Sequence, residues 1–410
     1  MNILIIHAHN CNRGDEAAVK SMVDEILEKY PFANITISVE APVFYPKMSE
    51  RVKQIIRFPK WSSKIAQVEY LLSFFCGSKV SFTKEGRNFI TILKNSDLVI
   101  HAPGGPSIGD IYLEREWLYL SRLDIVRRLN IPYMFYAPSM GPFYNEKNNE
   151  LRKKVLLGAE KIILRDPISI KYLKEFLPEI KVEQALDSAL QHDIDKKSNE
   201  ETLNQYKTLN EFINNHEKII GITITDLKWH PKHKFNSAIN NIKSTFIKFI
   251  KDRINEGYGI VFIPQLYGEQ NDIDLMNEYM LDKHTFMVEA NKECYDSYFQ
   301  QYLIGKLYAV VGMRYHSNIF SAKMGTPFVS VSYEQKMEGF MNSIGLNNYC
   351  ISFENLSYDK LNEKFSMLEK NYILYKEKLN QMHEYMKNES YKSTKVVIDI
   401  LEKHKVNGKK

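Results

Sequence analysis

The sequence predicts an α/β protein of two doubly wound domains that face each other across a cleft. Three observations carry that reading. Short, unbroken apolar runs recur along the chain with helix-like stretches between them, the pattern of strands buried on both faces of a parallel sheet. The series halts in a polar stretch, Lys196–His216, and a second series starts at Ile219, so the polar stretch reads as a linker with a short helix. At about 150 residues per domain, 410 residues make two large domains.

Taken in order, the first series contains Ile3–Ile6, a helix-like stretch from Asp15 to near Tyr30, then Ile35–Val39, Leu98–His101, Tyr133–Ala137 and Ile162–Leu164. The second contains Ile219–Ile224, Ile260–Pro264, Phe286–Val288, Leu307–Val311 and Phe328–Val331. From Tyr358 onward the chain is charged and helical. Domain limits are expected at 1–205 and 206–375, with a helical tail, 376–410, packing back on the first domain. Glu50–Phe82 breaks the rhythm as a basic insertion. Arg51, Lys53, Arg57, Lys60 and Lys64 carry positive charge, Arg51–Gln67 holds no acid, Phe58 and Trp61 are interleaved, and Leu71–Phe75 is apolar. Such a stretch suits either peripheral docking on an anionic membrane through 51–64 or an ordinary amphipathic surface helix.

Composition narrows the function. With 44% apolar and 26% charged residues the chain is neither disordered nor collagenous nor a coiled coil as a whole. Lys and Arg exceed Asp and Glu by 55 − 50 = 5, which does not demand nucleic acid but suits an anionic small substrate or a membrane surface. Cys11, Cys76, Cys294 and Cys350 form no Cys-x-x-Cys pair, so neither a disulfide framework nor a zinc knuckle is expected. The first residues lack a basic leader with an apolar core, and no apolar run reaches the roughly 18 residues of a membrane span. A cytoplasmic protein, in contact at most with the inner face of the membrane, is expected.

Residues suited to chemistry collect where apolar runs end, the ligand edge of open parallel sheets. After the first run, Asn12-Arg13-Gly14-Asp15-Glu16 offers a tight turn and a helix N-terminus for an anion, or simply a helix start. Ala102-Pro103-Gly104-Gly105-Pro106-Ser107-Ile108-Gly109-Asp110 lets backbone approach a ligand and brings a carboxylate to the same rim, but it has neither Walker nor dinucleotide spacing. Ser139-Met140-Gly141-Pro142 follows another run, and Arg165-Asp166 with Ser169 follows the next, where a surface cap of the following helix is the plain reading. Gln265 ends the Ile260–Pro264 run. Most informative is Gly312-Met313-Arg314-Tyr315-His316, followed by Gly325-Thr326-Pro327 and Tyr333-Glu334-Gln335-Lys336. Arg supplies a fork for carboxylate or phosphate, Lys a point charge for the same anion, and His a proton carrier near neutral pH. His7, His9 and His230-Pro231-Lys232-His233 lack companion ligands and read as loop or substrate-rim residues, so no metal is expected. No Gly-x-Ser-x-Gly elbow supports a serine hydrolase.

The set resembles the polysaccharide pyruvyltransferase family. The resemblance rests on Asn12-x-Gly14-Asp15, Gly104-Gly105 with Asp110, Ser139-x-Gly141-Pro142, Arg165-Asp166 with Ser169, Arg314-x-His316, Gly325-x-Pro327, Tyr333-x-x-Lys336 and Gly339-Phe340. Leu186-Asp187 stands where relatives often carry Pro-Asp. The resemblance implies two facing Rossmann-like domains similar to the GT-B glycosyltransferases, with the acceptor on the first and the donor on the second. It implies transfer of pyruvate from phosphoenolpyruvate, the donor substrate, with no further cofactor, onto two hydroxyls of a sugar as a cyclic ketal. Arg165, Arg314 and Lys336 would match the donor's roughly three negative charges. His316 would move the proton, and Asp15 or Asp110 would supply a second acid or base. Asn12, Gly14, Gly104, Gly105, Ser139, Gly141, Gln265, Tyr315 and Tyr333 would contact substrate. The acceptor would be a lipid-linked or nucleotide-linked glycan precursor. A GT-B glycosyltransferase with a nucleotide-sugar donor held near Gly325-Thr326-Pro327 is the rival enzyme, and an inactive sugar-binding scaffold is the rival outside catalysis.

Overall fold

The structure, a computed structural model, describes residues 1–9, 11–39, 48–58, 64–75, 81, 83–228, 236–268, 271–289 and 295–407. The chain divides into two units, one of Met1–Asn10, Ala18–His192 and Asn388–Lys410, the other of Cys11–Ala17 and Asp193–Lys387.

The first unit holds β1 (Asn2–Ile6), most of α1 (Arg13–Lys29), β2 (Asn34–Val39), β3 (Val52–Ile56), α2 (Lys64–Phe75), α3 (Lys84–Lys94), β4 (Leu98–His101), α4 (Leu113–Arg128), β5 (Tyr133–Tyr136), α5 (Asn149–Leu157), β6 (Lys161–Leu164), α6 (Pro167–Phe176) and β7 (Glu183–Gln184). Its strands run in the order β3-β2-β1-β4-β5-β6-β7, every pair parallel. The alternation inherent in a strand explains the unbroken apolar runs. Leu4 and Ile6 of β1 join one core with Val99 and Phe135, while Ile3 and Ile5 join another with Leu98 and Ile100, so both faces are covered.

The second unit holds α7 (Lys196–Gln205), α8 (Lys207–Asn214), β8 (Ile219–Thr223), α9 (Asn236–Asn255), β9 (Gly259–Phe262), α10 (Ile273–Asn277), β10 (Thr285–Met287), α11 (Ser297–Gly305), β11 (Ala309–Gly312), α12 (Tyr315–Met324), β12 (Phe328–Ser332), α13 (Gln335–Ser343), β13 (Cys350–Ser352), α14 (Tyr358–Lys370) and the first part of α15 (Tyr372–Asn407). Its parallel order, β10-β9-β8-β11-β12-β13, repeats the arrangement of the first sheet. In both sheets the order reverses beside the first strand of the unit, between β1 and β4 and between β8 and β11. Such a switch point is where doubly wound sheets bind ligands.

Two expectations need correction. Lys196–His216 is not a linker with one short helix. It forms α7 and α8, whose Leu203, Leu209 and Phe212 are buried. Glu50–Phe82 is not an insertion throughout, because Val52–Ile56 adds a parallel edge strand to β2. Lys53 on that edge is exposed, a charge that discourages further strand addition. Arg57, one of the charges assigned to lipid, instead turns inward and donates from Nη2 to the Ala8 carbonyl at 2.7 Å. Lys60 and Trp61 lie outside the described residues. The apolar alternation of β3 was hidden because Lys53 and Gln54 interrupt it, as an edge permits.

Candidate active site

In the second unit, β11 ends at the switch point and hands directly to Arg314, the N-cap residue of α12. The Arg314 backbone N–H donates to Thr223 Oγ1 (3.2 Å) at the end of β8, and Ser317 Oγ links Thr223 Oγ1 (2.8 Å) to the Arg314 carbonyl (2.7 Å). The guanidinium is fixed by an ion pair from Nη2 to Asp272 Oδ1. Asp272 is itself held, its Oδ2 accepting the backbone N–H groups of Gln265 (2.9 Å) and Leu266 (3.0 Å) in the loop after β9. Burial works against the charge of Arg314, but Asp272 and Tyr333 outweigh it and raise the pKa, so the group stays cationic. Its buried Nε has no hydrogen-bond partner among the described residues, a donor left for something else.

His316 follows as the second residue of α12, buried, with its ring beside Tyr315 (5.0 Å) and Phe320 (6.1 Å). Gly14 explains why the N-terminal loop carries glycine there. A Cβ at that position would fall on Cβ, Cγ and Nδ1 of His316, so only a bare backbone lets the loop close over the ring. Asn12 shapes the loop by accepting the Gly14 N–H at 2.8 Å, and Arg13 N–H donates to the Gln265 carbonyl at 2.9 Å. Behind it lies a buried network. Arg13 Nη1 pairs with Glu16 Oε2 at 2.5 Å and stacks over Tyr267 at 4.2 Å, while Glu16 accepts Tyr267 OH (2.9 Å) and Ser297 N–H (2.6 Å). Burial pushes the Glu16 carboxyl up, against the pull of Arg13. Asp15 sits partly exposed in the same turn. Lys336 pairs with Glu334 at 2.5 Å and lies 5.7 Å from the Tyr315 ring, Tyr333 is buried, and the Gln265 amide reaches Gln300 at 3.5 Å.

In the first unit, Ser139, Gly104, Arg165 and Asp187 form a row along the carboxyl edge of the sheet. Ser139 N–H donates to the Gly104 carbonyl (3.1 Å), Arg165 Nε donates to Ser139 Oγ (3.0 Å), and Arg165 Nη1 pairs with Asp187 at 2.5 Å. Asp166 caps α6 by accepting from Ser169 at 2.7 Å, as a helix start reads, but Arg165 itself is buried rather than on the surface. Gly109 and Gly141, both at positive φ (131° and 80°), meet backbone to backbone, with Gly141 N–H donating to Ile108 O at 2.9 Å. Asp110 is wholly engaged as a brace. Its Oδ2 accepts Tyr144 and Asn145 N–H (2.6 and 3.0 Å), and its Oδ1 pairs with Arg152 at 2.8 Å.

The structure therefore brings Asn12, Gly14, Gln265, Arg314, Tyr315, His316, Tyr333 and Lys336 together in one unit and Gly104, Gly105, Asp110, Ser139, Gly141 and Arg165 in the other. Arg165, Arg314 and Lys336 were expected as three charges to be matched by a trianion. Each instead carries its own carboxylate, Asp187, Asp272 and Glu334, because a cation withdrawn largely or partly from water is best compensated inside the protein. Gly325 was offered as a diphosphate loop. It is the left-handed C-cap of α12 (φ 70°), and Thr326 donates to the Ile304 carbonyl at 2.9 Å. Both lie at the amino end of β12, opposite the ligand edge. His230 and His233 lie outside the described residues.

A family model for polysaccharide pyruvyl transferase matches residues 12–335. The chain belongs to that family. The match takes in the Asn12–Gly14 loop, the Ser139–Arg165 row and the Arg314–His316 turn. Among curated proteins, this pyruvyl transferase family member is 22% identical over 438 aligned positions to the amylovoran biosynthesis protein AmsJ of Erwinia amylovora, covering 98% of this chain and 99% of that protein. Among solved structures it is similar to a UDP-GlcNAc 2-epimerase from Neisseria meningitidis (14% identity, TM-score 0.58, covering 98% of this chain and 100% of the other). A glycosyltransferase from Rickettsia africae is similar at 10% identity and TM-score 0.58, with 98% of each chain covered. At such identities the likeness establishes the fold, the two-sheet α/β architecture of GT-B glycosyltransferases and epimerases. Sequence reasoning about this transferase missed Asp272 and, though it named Asp187 and Glu16, did not assign them the arginines they hold. Asp272 lies 42 residues from Arg314 and no local spacing marks it. The Leu186-Asp187 signal was present but had no partner assigned.

Proposed function

We propose that the protein transfers pyruvate from phosphoenolpyruvate to two hydroxyls of one sugar residue in a glycan precursor, forming a cyclic ketal and releasing phosphate. What carries this reading is Arg314, a guanidinium fixed by Asp272 with a buried Nε donor left over, two residues from His316 at the switch point of the second sheet. The donor's carboxylate or phosphate takes the Arg314 donor, with Lys336, held by Glu334, as a second hydrogen-bond donor. A proton delivered to the methylene carbon makes the adjacent carbon oxocarbenium-like. The first hydroxyl attacks there, and the second displaces phosphate at the same carbon. Of the two hydroxyl protons, one is balanced by the new methyl group and the other leaves with phosphate. His316 carries the proton between these groups. The acceptor is assigned to the first unit, where Gly104, Gly105 and Ser139 line the carboxyl edge of the sheet.

The test against glycosyl transfer is direct. Phosphoenolpyruvate should raise the melting temperature and, with a panel of sugar acceptors, release inorganic phosphate. Stabilisation by a nucleoside diphosphate alone, with no phosphate released from phosphoenolpyruvate, would overturn the assignment.

The acceptor is proposed to be lipid-linked, reached at an anionic membrane surface. Support comes from α2, where Ile65, Val68, Leu71 and Leu72 are exposed at 60%, 50%, 57% and 46% and recur at helical spacing beside the exposed Lys64. No helix among the described residues is long and apolar enough to cross a membrane. The protein is expected to float with phosphatidylserine vesicles, and Val68→Asp with Leu72→Asp should abolish flotation. Equal flotation of both forms, or of neither, would dismiss the docking.

A further inference from the structure

The second unit holds a cavity of about 460 Å³ that is separate from the Arg314–His316 turn. Three elements wall it, the start of α7, the end of α12 and a stretch of α15, and they bring Lys196, Lys323 and His383 to its lining. Arg314 caps one end of α12, while Lys323, Met324 and Gly325 stand at the other. At 1.5 Å per residue those ends are roughly 15 Å apart. The cavity therefore lies by the amino end of β12, opposite the ligand edge of the sheet. Its volume falls in the range of small-molecule sites, roughly 300–1,000 Å³.

The lining is cationic. Lys323 is only 5% exposed, and its Nζ donates to Gln301 Oε1 at 2.8 Å. Gln301 is itself fully buried, and its Nε2 donor has no hydrogen-bond partner among the described residues. An ammonium withdrawn from water and a buried amide donor without an acceptor both cost stability, and an anion at the wall offsets the first. Asp193 is the one acid among the described residues that line the cavity, and it pairs with Lys387 at 2.5 Å. Burial raises the Asp193 carboxyl, but Lys387, then Lys323 and His383, outweigh it and hold the group below the usual carboxylate range. Asp195, two residues on, spends its Oδ1 on the Lys197 and Ser198 N–H groups (3.0 and 3.2 Å), capping α7. Both acids are committed, and positive charge is left in excess.

The residue types name the anion. No arginine is among the described lining residues, so the fork that matches a planar carboxylate is absent. Lysines are point charges and suit a tetrahedral phosphate approached from more than one element. The Asn380 amide and the Asp193 carboxylate offer partners to hydroxyl groups, and Ile194, Met324 and Leu379 give an apolar wall for the C–H face of a ring. We propose that this cavity binds a sugar phosphate, its phosphate against Lys323 and Lys196 and its ring beside Asn380, Asp193 and the apolar wall. The site stands whether or not the pyruvyl-transfer reading holds.

The test follows histidine Cε1 resonances of the full-length protein as glucose 1-phosphate is added at constant pH and ionic strength. His383→Gln and His316→Gln assign one resonance each, so the cavity and the Arg314 turn are read separately in one titration. The His383 resonance should shift and saturate, inorganic phosphate should act more weakly, and glucose should leave it in place. Lys196→Ala should weaken that titration severalfold and Lys323→Met about tenfold or more, the size of a lost charge-assisted hydrogen bond. Arg314→Gln should leave the His383 titration as in wild type, and Lys196→Ala should leave phosphoenolpyruvate-dependent turnover unchanged. Lys323 is buried, so its variant is read only with a wild-type melting curve, and the exposed Lys196 keeps the test decisive if Lys323→Met fails to fold. A His383 resonance unmoved at millimolar glucose 1-phosphate, or moved as readily by glucose or by inorganic phosphate, would overturn the assignment. So would a titration that Lys196→Ala leaves unchanged.

Discussion

His316→Ala is expected to lower phosphoenolpyruvate-dependent turnover by roughly 10²–10⁴, the range for loss of a general acid or base, with an unchanged circular dichroism spectrum. The imidazole stands two residues from Arg314, in the first turn of α12 beyond the end of β11. Gly14→Ala is the companion experiment. It keeps the imidazole but puts a methyl group where the His316 ring lies, so the ring or the loop must move. An error of about 1 Å in a catalytic group costs on the order of 10²-fold, and Gly14→Ala should lose at least that much in turnover while still binding phosphoenolpyruvate through Arg314. Normal turnover in His316→Ala would take the histidine out of the mechanism. Normal turnover in Gly14→Ala would show that the packing of loop on ring does not position it.

The largest effect on stability is expected at Arg152. Its side chain is fully buried between Glu116, which is equally buried, and Asp110, and it also donates to the Asn145 carbonyl at 2.6 Å. Glu116 in turn accepts the Gly109 N–H at 2.7 Å and the Asn148 amide at 2.7 Å. Arg152→Met strands a carboxylate in the core, which costs about 3–5 kcal/mol, a fall in melting temperature on the order of 10 °C for a domain of this size. Arg152→Lys should rescue little, since an ammonium cannot bridge both carboxylates as the guanidinium fork does. Adding Glu116→Leu to Arg152→Met should recover part of the loss, because removing both partners leaves fewer uncompensated charges than removing one. A melting curve for Arg152→Met that overlays wild type would show the network to be dispensable. The same network holds Gly109–Asp110 against Gly141–Pro142, so acceptor affinity should fall with stability.

Much of the architecture was readable because parallel strands covered on both faces must be apolar along their whole length. Ile3–Ile6 and Phe328–Val331 announce themselves for that reason, as do the turns that follow such runs. The strands that escaped are edges. Val52–Ile56 carries Lys53 and Gln54, and Glu183–Gln184 has only two residues, both exposed. An edge strand has one neighbour and little burial, so the composition that marks a central strand is absent.

The same division holds for chemistry. By itself the sequence determined which side chains stand at strand ends, Arg165 after β6 and Arg314 with His316 after β11, because a strand's last residue and the next turn are local facts. Only the tertiary structure decided what those side chains are. It set Asp187 against Arg165, Asp272 against Arg314 and the Gly14 backbone against His316. Each of these joins segments brought together by sheet order, and an ion pair or a backbone contact across such distances leaves no periodicity in the chain.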